Sequence, residues 1–522
     1  MGPRATDAEA RGPVSEAWRA QALAWRNTDP DPETRAEVDE LLARGDDAGL
    51  ADRFGARLQF GTAGLRGELG AGPNRMNRVL VRRAACGLGR YLGAGRRVVI
   101  GFDARHKSAA FAEDSAAVLA GLGLDVVLLP RPLPTPVLAY AVRHFACDAG
   151  VMVTASHNPA ADNGYKVYLG DGAQIVEPAD AAISAAIDAA GLSGPITMSD
   201  RYRVADDEVV ASYLTAIEAV AGPGPRALRI VYTPVHGVGG ALAVEALRRA
   251  GFTDVHVVAA QAAPDPDFPT APFPNPEEPG VLDLALEEAR AVGADLVLAN
   301  DPDADRLAVA VDGRRLTGDE VGCLLADHLL ARPATGRERL VVTSVVSSTL
   351  LGRIAFDAGA HYERTLTGFK WIVRPALAHP EWDFVLGYEE ALGYSVGGIV
   401  RDKDGISAAL VVAGMAAARK AKGETLLDAL AELDGRYGRF RTAQRSFRLP
   451  RAAQDAVMAR VRALPDAEDM RPASDVVVVE RPGRRVVFRP SGTEPKLKVY
   501  AEVVNDDLEA LLSEAIGWAG LE

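Results

Sequence analysis

One pattern recurs three times along the chain, and it limits the fold more than any other feature of the sequence. An apolar run is followed by a short polar turn, a segment of helical periodicity and a second apolar run. The copies begin at Val98, Leu228 and Arg339, more than a hundred residues apart. Each copy is typical of a strand–helix–strand unit, which favours a parallel sheet covered by helices. Repeats at such long spacing predict three related α/β domains and exclude a short-period solenoid.

The two ends of the chain differ from these repeats. Residues 1–55 are charged and Ala-rich, with helical stretches around Ala17–Trp25 and Glu33–Arg44. Near the other end, three apolar runs joined by short turns precede a helix predicted from Asp506 to Ala519, which indicates an α+β tail. We therefore expect five segments: a helical leader over 1–55, α/β domains over 56–205, 206–315 and 316–440, and an α+β domain over 441–522.

A sequence signal for a helix start lies at Thr317. Glu320 follows it at the spacing of a capping box, in which the two side chains satisfy each other's backbone N–H groups. The box predicts a helix over the stretch GDEVGCLLADHLL. We expect Cys323 and His328 to fill the inner face of this helix.

Charge and cysteine content exclude several classes of protein. The 522 residues include 58 basic and 71 acidic ones, for a net charge of −13. So acidic a chain is unsuited to general nucleic-acid binding, which depends on Lys and Arg contacts to phosphates. The three cysteines are far apart and form no CxxC pair, which argues against disulfides or a zinc site. With no signal peptide and no apolar run near the about 20 residues that span a bilayer, we expect a cytoplasmic protein without a membrane partner.

A first candidate site follows an apolar strand that ends at Val153. The following turn presents Ser156 and His157, and a serine beside a histidine is typical of an activated nucleophile. Lys166, on the next strand, can reach the same place. An isolated Ser-His pair is more often a turn whose side chains satisfy backbone groups, so this alternative stays open at this point.

The second candidate site combines Asp301, Asp303 and Asp305 with Arg306, directly after a strand of buried type. Three carboxylates on one short loop repel one another unless a cation lies between them, and hard oxygen ligands favour Mg²⁺ or Ca²⁺. An EF-hand is rejected because Arg306 replaces the required glycine and strands flank the loop. A phosphatase with Asp301 as nucleophile is a weaker alternative, since Asp305 replaces the usual Thr or Val.

Four further clusters have the composition of ligand sites. Three of them suit anions, because each combines a cation with hydroxyl or backbone N–H groups. The fourth, a turn with two acids, suits the hydroxyl groups of a sugar. Taken singly, each anion cluster is more often an ordinary turn. The candidates are Arg66 in the Gly61–Gly67 loop, Thr367 and Lys370, Glu389 in the Gly387–Gly393 loop, and Arg489, Ser491, Gly492 and Thr493.

In their order along the chain, four of these motifs resemble those of the α-D-phosphohexomutase superfamily (phosphoglucomutase/phosphomannomutase). TASHNP is similar to its phosphoserine loop, DPDADR to its metal loop, GYEEALG to its sugar-binding loop and RPSGTEP to its phosphate-binding loop. The resemblance implies three similar α/β domains with mixed sheets around a central cleft and a smaller C-terminal α+β domain. Ser156 would then carry a phosphoryl group, and one Mg²⁺ per chain would be held by Asp301, Asp303, Asp305 and an oxygen on Ser156.

The same resemblance implies roles for the remaining candidates. Arg66, Arg306 and Lys166 match positions near the transferring phosphoryl group, and His157 follows the nucleophile as in the family. Whether Lys166 or His157 is the general base is left open. The other matches are Thr367, Glu389 and Lys403 for the sugar phosphate, and Arg489, Ser491, Gly492 and Thr493 for the phosphate that does not react.

The expected activity is the interconversion of hexose 1-phosphate and hexose 6-phosphate, for glucose or mannose, through a phosphoserine enzyme and a bisphosphorylated sugar. Glucose 1,6-bisphosphate or a similar compound would be the activator, and the enzyme would be a monomer or a homodimer. Ala391 stands where many members carry serine, and the form YEEALGY resembles the branch with phosphopentomutases and glucose-1,6-bisphosphate synthases. Those two activities are therefore alternatives. A phosphohydrolase is less favoured, and a non-catalytic binder would need neither a nucleophile nor a metal.

Overall fold

A computed structural model describes residues 13–61, 64–191, 195–491 and 496–521. The chain divides into two compact units, of which the first comprises the described parts of Met1–Ala221, Arg229–Leu307 and Ile399–Leu410. The second comprises those of Gly222–Leu228, Ala308–Gly398 and Val411–Glu522. Among the residues described, none of the helices combines the length and apolar character that crossing a bilayer requires.

The first unit begins with three helices: α1 (Pro13–Thr28), α2 (Pro32–Arg44) and α3 (Asp47–Phe54). The side chains of Asp31 and Asp46 cap α2 and α3 by accepting hydrogen bonds from backbone N–H groups, as aspartate does at helix starts. Trp25 and Phe54 meet edge to face, with ring centroids 6.1 Å apart, in a small apolar cluster. The two predicted helices are present, whereas α3 was not expected.

A six-stranded mixed sheet follows, and α-helices pack against it. Its core is an apolar cluster that includes Ile100, Val151 and Val153. β2 pairs in parallel with β3 and β4, and β3 with β6, whereas β5 is antiparallel to both β4 and β1. The elements are β1 (Leu65–Glu68), α4 (Arg78–Leu92), β2 (Arg97–Phe102), α5 (Ser108–Gly121), β3 (Asp125–Leu128), α6 (Thr135–His144), β4 (Ala149–Val153), β5 (Asp162–Leu169), α7 (Ala179–Ala190), β6 (Arg203–Val204) and α8 (Glu208–Glu218).

The second repeat of the sequence forms parallel strands in the same unit. Its central strand is paired in parallel with the strand on either side. The predicted strand–helix–strand pattern is therefore present, and its last strand leads directly into the acidic loop. The elements are β7 (Arg229–Thr233), α9 (Gly240–Arg249), β8 (Asp254–Val257), α10 (Asp283–Val292) and β9 (Leu296–Ala299).

The second unit opens with a tight hairpin of β10 (Ala308–Val311) and β11 (Arg314–Arg315). Its two-residue turn, Asp312 and Gly313, has φ values of 51° and 75°, the geometry of a type I′ turn. Asp312 occupies the twelfth position counted from Asp301, where an EF-hand has a ligand. Its place in this turn agrees with the rejection of an EF-hand.

The third repeat forms a four-stranded sheet in the order β13-β12-β14-β15, parallel except for the last strand. Thr317 and Glu320 form both hydrogen bonds of the predicted capping box. The elements are α11 (Gly318–Leu330), β12 (Arg339–Ser344), α12 (Leu350–Asp357), β13 (His361–Thr365), α13 (Phe369–Ile372), α14 (Arg374–Ala378), β14 (Asp383–Glu389), β15 (Gly393–Val396), α15 (Gly405–Lys420) and α16 (Leu426–Tyr437).

The C-terminal part is an antiparallel sheet in the order β16-β20-β19-β18-β17, covered by two helices. The final helix begins after its cap Asp507, close to the predicted start at Asp506. The elements are β16 (Phe440–Arg448), α17 (Arg451–Arg462), β17 (Ala467–Asp469), β18 (Val477–Arg481), β19 (Arg484–Pro490), β20 (Lys496–Val504) and α18 (Leu508–Ala519). Three α/β domains with mixed sheets and an α+β tail confirm the predicted fold class.

Candidate active site

The serine turn between β4 and β5 is tightly constrained. Ser156 is 3% exposed and has a φ of 54°, a left-handed conformation that is unfavourable for a residue with a side chain. Its backbone N–H donates to Oγ1 of Thr154 at 2.8 Å. Gly164 on β5 lies so close that a Cβ atom there would be 2.5 Å from the Thr154 carbonyl oxygen. The turn therefore depends on a glycine beside it and on a serine in an uncommon backbone conformation.

The three aspartates that follow β9 form a compact buried cluster. One carboxylate oxygen from each of Asp301, Asp303 and Asp305 lies within 4.8 Å of the others. Oδ1 of Asp303 and Oδ1 of Asp305 are buried without a hydrogen-bond partner. Burial and the two neighbouring carboxylates raise the pKa of Asp301 well above its ordinary value. Unpaired buried oxygens and mutual repulsion are what a divalent cation would relieve, so the triad fits a metal ion.

The nucleophile candidate and the acidic cluster meet directly. The hydroxyl of Ser156 donates to Oδ2 of Asp301 at 2.9 Å, although the two residues are 145 positions apart. Both belong to the first unit. The structure thus brings the two separate sequence motifs into one site.

His157 lies beside the same hydroxyl. Its Nδ1 atom is 3.1 Å from Oγ of Ser156 and 3.8 Å from Oδ2 of Asp301. Burial, followed by the positive charges of Arg306 and Arg66, lowers the pKa of His157 well below its ordinary value. The neutral imidazole is therefore favoured at this position.

Lys166 is held by two carboxylates of the triad. Its Nζ atom donates to Oδ2 of Asp303 at 2.8 Å and to Oδ2 of Asp305 at 3.1 Å. Burial alone lowers the pKa of this lysine, but the two carboxylates outweigh it and raise the pKa above the ordinary value. Lys166 is thus a fixed ammonium group at the edge of the acidic cluster.

Lys403 joins this network from a distant part of the sequence. Its Nζ atom is 3.3 Å from Oδ2 of Asp305 and 3.7 Å from Oδ1 of Asp402. Asp402 also accepts hydrogen bonds from Tyr168 and Gln174, both at 2.7 Å. Segment 399–410 belongs to the first unit, and these contacts place Lys403 beside the triad.

The two predicted arginines flank the site. The backbone N–H of Arg306 donates to Oδ1 of Asp301 at 3.0 Å, and its guanidinium is 3.3 Å from Oε2 of Glu277. Arg66 on β1 is exposed and donates to Oδ1 of Asn158 at 3.3 Å. Arg66 therefore lies next to the serine turn, and Arg306 lies on the loop that carries the three aspartates.

Sequence reasoning missed Thr135, which donates to Oδ2 of Asp303 at 2.6 Å. It follows Pro134 at the start of α6, and nothing in that segment distinguishes it from an ordinary helix start. It also missed Asp402, which is unremarkable without knowledge of its partners. Both contacts depend on chain segments that only the fold brings together.

Arg105 is a third missed residue, and its guanidinium is almost completely buried. Nη2 donates to the carbonyl oxygens of Ser156 at 2.6 Å and Asn158 at 2.5 Å. Nη1 donates to those of Pro159 at 2.8 Å and Asp162 at 3.2 Å. One side chain thus contacts four carbonyl groups of the serine turn.

In the second unit, two predicted sugar-phosphate contacts lie at one edge of the third sheet. Thr367 follows β13 and Glu389 ends β14, and both strands are parallel neighbours of β12. Carboxyl ends of parallel strands meet at the same edge of a sheet, where ligands commonly bind. Lys370 is the second residue of α13, which begins directly after Gly368, and the φ of 104° at Gly368 is open only to glycine.

The second acid of this turn has partners of its own. Glu390 accepts hydrogen bonds at 3.1 Å from the hydroxyls of Ser344 and Ser347. Burial, together with the neighbouring charges of Glu389 and Asp319, raises the pKa of Glu390 to about 7. Glu390 is therefore part of the support of the turn, and Glu389 is the acid at its half-buried surface.

The predicted phosphate cradle lies between β19 and β20. Arg489 is half-buried on β19, and the N–H of Ser491 donates to the carbonyl of Lys496 at 2.8 Å. Gly492 and Thr493 lie outside the described residues. Burial, followed by the charge of Glu390, raises the pKa of Tyr500, and the charge of Arg489 opposes this. The charges of Arg489 and of Glu390 thus shift the pKa of Tyr500 in opposite directions.

Comparison with known protein families shows which family this chain belongs to. Four family models match in sequence: phosphoglucomutase/phosphomannomutase alpha/beta/alpha domain I over residues 57–193, domain II over 211–314, domain III over 317–433 and the C-terminal domain over 447–516. The chain belongs to the phosphoglucomutase/phosphomannomutase family. The family predicted from the four motifs is confirmed.

Individual relatives agree with this assignment. A Haemophilus influenzae protein named "Probable phosphomannomutase" is 44% identical over 461 residues, which cover 83% of this chain and 94% of the relative. A Schizosaccharomyces pombe protein named "Probable phosphoribomutase" is 38% identical over 557 aligned positions, covering 94% of each. The crystal structure of a family protein from Burkholderia thailandensis shares the fold, with a TM-score of 0.71, 22% identity and coverage of 88% of this chain and 97% of that one. The chain is an enzyme of the phosphosugar mutase class.

Proposed function

We propose that this mutase interconverts hexose 1-phosphate and hexose 6-phosphate, with glucose or mannose as the sugar, through a phosphorylated Ser156 and a bisphosphorylated intermediate. The observation that carries the proposal is the hydrogen bond of Ser156 to Asp301 inside a buried carboxylate triad. A nucleophile beside a candidate metal site is what phosphoryl transfer requires. The 44% identical relative is named for a hexose phosphate, which supports the choice of sugar.

The metal in this proposal is one Mg²⁺, held by Asp301, Asp303, Asp305 and an oxygen on Ser156. The support is a donor set made only of oxygen atoms, two of them buried and unpaired, which suits Mg²⁺ better than softer metals. When bound, Mg²⁺ would withdraw negative charge from the transferring phosphoryl group.

The cationic side chains of the site would also stabilise the negative charge of the transferring phosphoryl group. The transferring phosphoryl group spreads its charge over equatorial oxygens, so catalysis depends on nearby fixed positive charge. We assign this role to Arg66, Arg306 and Lys166. Arg66 lies beside the serine turn, Arg306 lies on the loop of the three aspartates, and Lys166 is fixed by two carboxylates.

We assign proton transfer at Ser156 to His157. Its Nδ1 atom lies within hydrogen-bond distance of Oγ, which is the first requirement for a general base. Lys166 instead directs its Nζ atom at two carboxylates. His157 would take the Ser156 proton when the serine receives a phosphoryl group, and the sugar oxygen that loses the phosphoryl group would gain a proton to become a hydroxyl. In the opposite direction, the sugar hydroxyl would lose a proton and Ser156 would regain one from His157.

The remaining assignments concern the sugar and its distant phosphate. We propose that binding energy from the end that does not react orients the end that does. Thr367, Lys370, Glu389 and Lys403 are assigned to the sugar phosphate. Binding of the phosphate that does not react is assigned to Arg489, Ser491, Gly492 and Thr493.

Several sequence-based expectations stay predictions. They are activation by glucose 1,6-bisphosphate or a similar compound, a cytoplasmic location, a monomeric or homodimeric state, and the domain boundaries at 55/56, 205/206, 315/316 and 440/441. A small phosphosugar as the partner is consistent with the family. The acidic net charge of −13 continues to argue against nucleic acid as a partner.

The main alternative is a phosphopentomutase. The 38% identical relative is named a phosphoribomutase and aligns over 94% of this chain, and a mouse relative at 34% identity is named a phosphopentomutase. Measuring kcat/KM for glucose 1-phosphate, mannose 1-phosphate and ribose 1-phosphate tests the choice. A preference for either hexose of tenfold or more supports the proposal, and the opposite preference contradicts it.

A phosphohydrolase with Asp301 as nucleophile is tested in the same assay. Both oxygens of Asp301 are already engaged, one by the Ser156 hydroxyl and one by the Arg306 N–H. We therefore expect less than one phosphate released per hundred isomerisations. Stoichiometric phosphate release would support the hydrolase instead.

A further inference from the structure

We infer that Arg105 is a positioning residue for phosphoryl transfer: it fixes the left-handed backbone of Ser156 by gathering the carbonyl oxygens of the serine turn around one guanidinium. The inference rests on the proposed function, because it gives Arg105 a role in setting the direction of the Ser156 hydroxyl. Among the contacts described, Arg105 binds carbonyl oxygens of the turn and none of the candidate reacting atoms, so it acts through the turn.

The conformation of Ser156 needs such a support. A φ of 54° is unfavourable for any residue with a Cβ atom, and such conformations persist only where the surroundings hold them. On the N–H side, Thr154 supplies the support by accepting the Ser156 N–H. On the carbonyl side, Nη2 of Arg105 supplies it at 2.6 Å.

The guanidinium is suited to this task by its shape. Its planar fork presents donors in fixed directions, and four carbonyl groups lie around it: those of Ser156, Asn158, Pro159 and Asp162. A lysine ammonium has three donors and no fixed plane, so it cannot satisfy all four acceptors. Carbonyls left buried and unpaired would favour a rearranged turn.

Arg105 is itself held in place on two sides. Its Nε atom lies 3.4 Å from Oδ2 of Asp103, and its backbone N–H donates to Oδ1 of the same residue at 3.0 Å. Its guanidinium lies 4.9 Å from the ring centre of Phe268. Because these contacts fix the side chain before any substrate binds, Arg105 can impose its geometry on the turn.

The test compares Arg105→Lys with Arg83→Lys. Arg83 is also a buried arginine of the first unit, and it donates to the carbonyl of Ala190 on α7. For Arg105→Lys we expect kcat to fall thirtyfold or more while KM for the sugar phosphate stays within twofold of the parent. Arg83→Lys should leave kcat within threefold. A kcat for Arg105→Lys within threefold, or an equal loss in both variants, would overturn the inference.

A second measurement needs no substrate. In hydrogen exchange of the parent and both variants, we expect peptides that cover residues 154–164 to exchange at least tenfold faster in Arg105→Lys alone. Peptides from β2 and the urea midpoint should match those of Arg83→Lys, which separates a loosened turn from general unfolding. Unchanged exchange at 154–164 would overturn the inference. If the parent has no mutase activity on any sugar phosphate, the proposed function fails, and this measurement still decides whether Arg105 orders the turn.

Discussion

The Ser156 hydroxyl lies 2.9 Å from Oδ2 of Asp301, on a turn and a loop that 145 sequence positions separate. This contact joins a candidate nucleophile, Ser156, to a candidate metal site, the triad of aspartates. Its consequences can be tested one residue at a time.

Replacing Ser156 by alanine should abolish turnover while the protein remains folded. The variant lacks the oxygen that accepts the phosphoryl group, so we expect a loss of at least about a thousandfold in kcat, or about 4 kcal/mol in barrier. Ser115→Ala is the matched control, because Ser115 is also buried and its hydroxyl donates to the Phe111 carbonyl within α5. Turnover of Ser156→Ala within about tenfold of the parent would contradict the phosphoserine mechanism.

Removal of divalent metal should inactivate the enzyme reversibly. The carboxylates of the triad repel one another and include two unpaired buried oxygens, so a cation should also stabilise the fold. We expect EDTA treatment to remove activity, Mg²⁺ to restore it, and Mg²⁺ to raise Tm in the parent but not in Asp303→Asn. Asp295→Asn provides the control, at an acid outside the triad. Full activity in protein shown by metal analysis to be free of divalent ions would exclude the proposed site.

Lys166→Met should destabilise the protein strongly. The change removes the ammonium partner of Asp303 and leaves Asp305 with Lys403, at 3.3 Å. Removing one member of a buried ion pair typically costs about 3–5 kcal/mol. We expect urea unfolding without metal to report a loss of about 3 kcal/mol, and the loss to shrink when Mg²⁺ is added. Lys422→Met, at an exposed lysine, should change stability by less than about 0.5 kcal/mol. A loss for Lys166→Met no larger than that of the control would show that the ion pairs contribute nothing.

The raised pKa of Glu390 predicts a stability that falls as the pH rises. The folded protein holds a proton on this carboxyl up to a pKa of about 7, whereas its ordinary pKa is 4.5. Its stabilising contribution is therefore complete below pH 4.5 and is lost as the pH rises through about 7. Each pH unit inside this window should cost at most about 1.4 kcal/mol.

Glu390→Gln keeps the shape of the neutral side chain and removes the titration. The stability of this variant relative to the parent should increase between pH 5 and pH 8, measured by urea unfolding at each pH. Glu468→Gln, at an exposed position, is the control variant and is measured over the same pH range. If the stability difference between Glu390→Gln and the parent does not change with pH, the carboxyl titrates alike in the folded and unfolded states.

The candidate reacting groups stand out in the sequence because their residue types are uncommon at these positions. Three aspartates directly after an apolar strand, and a serine and a histidine after another, are hard to explain as turns once they occur in one chain with the other motifs. Repeated strand–helix–strand patterns likewise fixed the class of the fold. At these positions the local sequence already indicates which chemistry is possible, and the structure adds the distances between the groups.

Other features could not be predicted, for physical reasons that the structure makes clear. Arg105, Thr135 and Asp402 are ordinary residues whose partners lie in distant segments, so the sequence around them contains no signal. β16 was missed because its mostly half-buried and exposed residues include several arginines, and no apolar alternation marks it. Lys403 was recognised only through a family motif, and its contact with Asp305 depends on the docking of segment 399–410 into the first unit.

Gly164 has a consequence for the evolution of the enzyme. Even the smallest side chain at this position would collide with the Thr154 carbonyl oxygen at 2.5 Å and the Leu65 carbonyl oxygen at 2.9 Å, and neither backbone atom can move aside cheaply. A codon-randomised library at residue 164, selected for growth that requires the mutase, should return glycine alone. The catalytic centre is therefore closed to gradual remodelling from this side, and new substrate preferences must arise through positions elsewhere in the chain.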